Sequence, residues 1–166
     1  MPPADQTAVS GMNWLAFAMQ TVVSWGLYGA FLHEGQTALR DPEGGRYKAF
    51  LFVGIAYFVV AILGPVIMLV SKGSDWKFTS DGWKWSLVSG ILGAIGAFTL
   101  LLSLGAGGKP IFVMSVIFAG APVVNALYSM FAHPPDGGWG AVKPQFYLGI
   151  SLAAAGGCLV SYYKPP

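Results

Sequence analysis

Five stretches of this chain contain no Asp, Glu, Lys or Arg: Met12–Leu32, Ala49–Val70, Trp85–Leu104, Ile111–Ala132 and Phe146–Tyr163, of 21, 22, 20, 22 and 18 residues. A hydrocarbon core about 30 Å thick is crossed by roughly 20 helical residues at about 1.5 Å each. All sixteen charged residues lie outside these stretches. A charge at mid-bilayer costs at least about 2.5 kcal/mol, so lipid as a solvent enforces this segregation. Backbone groups in lipid must be satisfied internally, which at this segment length selects the helix. The sequence therefore predicts an all-α membrane fold, a five transmembrane helix bundle.

Composition removes the soluble alternatives. Charged residues are 10% of the chain, against about 25% in soluble domains. A soluble helix shows one apolar stripe, whereas these stretches are apolar nearly all round. The short connections leave no room for a second domain, so residues 1–11 read as an N-terminal tail and 12–163 as one five-helix domain. Residues 1–11 lack the Lys or Arg of a signal-peptide n-region, and the first stretch is too long for an h-region, so it reads as a retained span. A net charge of +2 without a basic tract excludes nucleic acid as a partner. The single cysteine, Cys158, lies in the fifth stretch and builds neither a disulfide framework nor a metal site.

Five spans put the two termini on opposite sides. The N-terminal side then carries Lys72, Lys77, Lys84 and Lys143, and the other side Arg40, Arg46, Lys48, Lys109 and Lys164. Four basic residues against five give almost no positive-inside bias. Two readings stand: one orientation set by weak cues, or copies inserted both ways. Trp14, Trp76, Trp83, Trp85 and Trp139 all fall on the N-terminal side, where indole rings favour the headgroup level.

The polar residues inside the spans are few. Gln20, Ser24 and Tyr28 recur every four residues on the first span, beside Trp25-Gly26. They either bond to other helices or line a wet cavity with Trp25 as a stacking platform. On the fourth span Ser115, Pro122 and Ser129 are spaced by seven, with Asn125 on nearly the same face. Pro122 has no N–H and clashes with the Phe118 carbonyl, as Pro65 does with that of Ala61, so both are expected helix bends. A kinked polar stripe at mid-depth suits a transporter interior, or a structural kink bonded to its neighbours. Small residues at four-residue spacing (Ser86, Gly90, Ala94; Gly93, Ala97; Gly149, Ala153, Gly157) allow close helix approach. No span holds an interior acid, base or histidine, which argues for facilitated diffusion or exchange over proton coupling. With no nucleophile–base pair, phosphate loop or His/Cys cluster, neither an enzyme nor a cofactor is expected.

Several of these features together resemble a known family. Trp25-Gly26, then Arg46 ahead of the second span, then Gly93-Ala-Ile-Gly96-Ala97 leading into a tight hairpin, follow its order. So do Ala121-Pro122-Val-Val-Asn125 and the closing Phe146-Tyr-Leu-Gly149 through Gly156-Gly157. The chain resembles a single EamA-like unit of the drug/metabolite transporter superfamily, an EamA-like half-transporter, from Trp25 to the C-terminus. Two departures stand out. Phe131-Ala-His133-Pro134 replaces the glutamate many members carry there, and a second unit is missing. The resemblance implies a cavity lined by the first four helices of two units, hence a homodimer or a heterodimer with a similar small chain. It also implies alternating-access transport of a small-molecule solute in the cytoplasmic (plasma) membrane. The cavity-lining candidates are Gln20, Ser24, Trp25, Tyr28, Ser115, Asn125 and Ser129. The alternative is a non-transporting membrane scaffold that uses the same fold for packing alone.

Overall fold

The computed structural model describes residues 4–163, with side chains from residue 13 onward. Those residues form helices and turns without strands. The helices are α1 (Ala4–Ala38), α2 (Gly45–Phe58), α3 (Gly64–Ser71), α4 (Ser80–Gly105), α5 (Pro110–Ala132) and α6 (Pro144–Tyr162). A π-helical segment, Val59–Leu63, joins α2 to α3, so together they make one span. Five helical segments are long and apolar enough to cross a membrane: Asn13–Ala38, Gly45–Ser71, Ser80–Gly105, Pro110–Ala132 and Pro144–Tyr162. The chain is an integral membrane protein.

The helix ends differ from the edges of the apolar stretches for a physical reason. Charge ends the hydrocarbon-compatible stretch without ending the helix. α1 thus runs past Leu32 through His33-Glu34 to Ala38, and it begins at Ala4, within the segment read as a tail. α4 begins at Ser80, with the Thr79 hydroxyl accepting from Gly82 N–H at 3.3 Å and Asp81 in the first turn. Those are the groups a helix N-terminus favours. Two helices, α3 and α4, end where the backbone turns left-handed. Gly73 (φ +61°) closes α3 by donating to Val70 O, while Ser74 donates to Leu69 O. Gly107 (φ +95°) closes α4 by donating to Leu104 O. The α3 end follows the full Schellman pattern, and at both ends glycine carries no Cβ penalty.

The chain divides into two compact units, Met1–Gly107 and Gly108–Pro166. In the first, α1 packs on α2, and α4 packs on both. Its core is Leu32, Ala49, Ala97, Leu100, Leu101 and Leu104, with the Phe50 and Phe98 rings 5.4 Å apart. All of these lie toward the α1–α2 turn. There Arg46 fills the space a Cβ on Gly105 would take, 2.7 Å from that position, at the C-terminal end of α4 where a cation is favoured. Toward the other end packing stops. Residues 13–27 of α1 and 80–96 of α4 are exposed on every face. The three spans of this unit converge at one end and leave each other uncovered at the other.

The second unit is the α5–α6 hairpin. Pro110 and Pro144 open its helices, where a missing N–H costs nothing. The Tyr147 hydroxyl donates to Trp139 O at 2.9 Å and fastens the connecting loop to α6. The helices touch at Gly157. A Cβ there would overlap Ala119 Cβ and lie 3.3 Å from Ser115 O.

Candidate functional site

The α1 stripe leads into a cleft. Each four-residue step turns about 40° around a helix, so Gln20 and Ser24 stand above Tyr28 on a slowly drifting face. Tyr28 begins an apolar cleft of about 630 Å³ between α1 and α2. Gly35 and Ala38 of α1 and Ala49 and Ala56 of α2 line it, small residues that keep it open, while Phe31 and Phe52 flank them. The Tyr28 hydroxyl is shielded from solvent and has no hydrogen-bond partner. The Gln36 amide nitrogen is likewise shielded and unpartnered. Trp25 and Tyr28 come together, with ring centroids 6.3 Å apart and planes at 46°. Gln20, Ser24 and Trp25 are exposed.

Ser115, Asn125 and Ser129 lie on α5, in the second unit. Ser115 is half-buried, and its hydroxyl donates to Ile111 O of its own helix at 2.6 Å. Its backbone carbonyl faces Gly157 of α6. Ser115 is thus a helix-contact residue with its polar group already partnered. Asn125 and Ser129 are exposed, and among the described residues neither side chain makes a hydrogen bond. A cleft of about 500 Å³ between α5 and α6 is lined by Val116, Ala119, Gly120, Ala154 and Cys158, with Gly157 at its floor.

The two expected bends take different forms. At Pro65 the helix widens into the π-helical turn Val59–Leu63, which relieves the clash with the preceding turn. At Pro122 the α-helix runs on without interruption. Tyr57, Phe52 and Gln36 were not among the sequence candidates. The signal for the first two was the spacing Ala49-Phe52-Val53-Ala56-Tyr57, one helix face of small and aromatic residues.

Neither cleft is lined by a charged side chain, and among the described residues no buried residue is polar. Such surfaces bind through apolar contact and one or two hydrogen bonds. Among the described residues no three His, Cys, Asp or Glu side chains are grouped to hold a metal ion. No protein-family model, curated protein or solved structure matches the chain.

Proposed function

We propose that the chain is one half of a membrane transporter, moving a small organic solute by alternating access as an antiparallel pair in the cytoplasmic membrane. The supporting observation is the asymmetry of the first unit. Its spans are packed at the α1–α2 turn and uncovered at the other end, and the uncovered part of α1 carries Gln20, Ser24 and Trp25. An inverted second copy would be packed where the first is open. The two inverted copies would then be interchangeable by symmetry, so that one could close its uncovered end while the other opens, the exchange around a central site that alternating access requires. The near-equal loop charges permit both orientations. The EamA-like order of motifs agrees with this reading, and the uncharged clefts favour a neutral or amphipathic solute.

One observation favours a scaffold instead. Gly90, Gly93 and Gly96 of α4 face open space, as a surface for another helix would. Asn125 separates the two. An amide in lipid without partners costs about 1–3 kcal/mol, so solute, cavity water or another helix must meet it. Uptake would be screened in proteoliposomes with labelled sugars, amino acids and amphipathic amines. In a transporter, Asn125→Leu abolishes uptake of the responding solute while insertion and detergent melting temperature hold. In a scaffold no solute crosses, and the same change weakens assembly measured by cross-linking.

A further inference from the structure

The second span is one hydrophobic stretch in sequence and two mechanical parts in the fold. α2 is anchored. Gly45 and Ala49 are buried, Gly45 sits against the Gln36 carbonyl, and Phe50 meets Phe98 of α4. α3 is not anchored. None of its residues is buried, and the Ser71 hydroxyl donates to Met68 O in its own helix. Between the two lies the π-helical segment, also without a buried residue, followed at once by Gly64 and Pro65.

A regular α-turn here would press the Pro65 ring against the Ala61 carbonyl, and Pro65 has no N–H to offer it. Widening the turn removes the clash at the expense of the regular hydrogen-bond ladder, so resistance to bending is lowest at this point. Proline and π-turns are the recognised sites of sharp helix bends. Gly64 has no atom within 4 Å of its Cβ position, so that side of the break is open. The position of the break matters more than its presence. Among packed helices it would be immobilised; here it lies well beyond the last buried residue of the span, Ala49.

We infer that α3 pivots about Val59–Pro65 as a rigid arm, changing the width of the uncovered end of the first unit beside the Gln20–Ser24 stripe. α3 is eight residues long, about 12 Å. A bend change of about 20°, the size of a sharp helix kink, moves its tip by about 4 Å. The pivot is a property of the span alone; only its use as a gate rests on the transport reading.

Paired nitroxide labels test it in the full chain in liposomes, with Cys158→Ser as background and excess unlabelled chain to isolate single copies. One pair, Met68→Cys with Val22→Cys, spans α3 and α1. A control pair, Leu51→Cys with Val22→Cys, spans α2 and α1; all three sites are exposed. The expected result is a distance distribution at least about 4 Å wider for the α3 pair than for the control, and a narrowed one in Pro65→Ala. Equal widths in the unmodified span overturn the inference, and that comparison needs no proline variant to fold. A width that Pro65→Ala leaves unchanged in well-inserted protein overturns it too. A moving α3 in vesicles that take up no solute keeps the pivot and removes the transport reading.

Discussion

Adding one methyl group at Gly157 would test how the α5–α6 hairpin is held. The Cβ of Gly157→Ala would overlap Ala119 Cβ and come within 3.3 Å of Ser115 O, a backbone atom that cannot rotate away. Carbon atoms settle near 3.5–4.0 Å, so the helices must part by more than an ångström at their contact point. A gap of 0.5–1 Å already forfeits a quarter to a half of each dispersion contact. The expected cost is about 2 kcal/mol, within the 1–3 kcal/mol of an overpacked core. Gly156 is the internal control, since its Cβ position has nothing within 4 Å. Gly156→Ala should be neutral or gain up to about 1 kcal/mol of helix propensity. Equilibrium unfolding in mild detergent, followed by a label on each helix, reads both. The double variant Gly157→Ala/Ala119→Gly moves the methyl group across the interface and should recover at least half of the loss. A Gly157→Ala chain as stable as its parent, or a double variant no better than the single, would refute close backbone approach as what joins these helices.

In a Cys158→Ser chain whose orientation is fixed by added loop charge, single cysteines at Ser74 and Asp136 should be labelled from one side of the membrane and one at Glu43 from the other; a common side for all three would remove a span. In the same assay, three lysines added to the 72–79 loop should fix that loop on the cytoplasmic side, whereas an unmodified chain already in one orientation would exclude copies inserted both ways. Outside the membrane, the hydrogen bond from Lys48 at 2.6 Å, and then the Gly44 N–H, hold the Asp41 carboxyl below its ordinary range. Because its folded pKa is lowered, this turn contributes its stability above an ordinary aspartate pKa of about 3.9 and loses it as pH falls through the depressed value. Lys48→Met should move the Asp41 carboxyl titration, followed by carbon NMR, back up; an unchanged titration would remove Lys48 as the cause.

The five spans were legible because lipid excludes charge residue by residue, and each of the sixteen charged side chains reports on that constraint separately. What lay within the spans was less so. In lipid every helix face is apolar, so no stripe marks the side that meets a neighbour. Tyr57 and Phe52 passed unnoticed for this reason, although they line a cleft with Tyr28. Small residues signal that close approach is possible without naming the partner. Gly157 meets Ala119, while Gly90 and Gly93 belong to stripes of the same four-residue spacing and face open space. Pro65 announced a bend, but its form depends on how the preceding turn rearranges, which one residue does not specify. Ser115 looked like Asn125 in sequence. Its hydroxyl can reach Ile111 O in its own helix, a bond that the Asn125 amide does not make in this fold.

That last contrast recurs along the chain. Thr21, Thr37, Ser86, Thr99, Ser115 and Ser161 each donate to the carbonyl four residues earlier in their own helix. A hydroxyl bonded in this way is already neutralised when its helix stands alone in lipid, before any other span arrives. Each span can therefore leave the translocation channel and wait in the bilayer, whatever the order in which its neighbours emerge. Among the described residues Gln20, Ser24, Asn125 and Ser129 make no such bond and still call for a polar partner within the bilayer. Insertion of these hydroxyls is thus settled within each helix, and only the remaining polar groups depend on what arrives later.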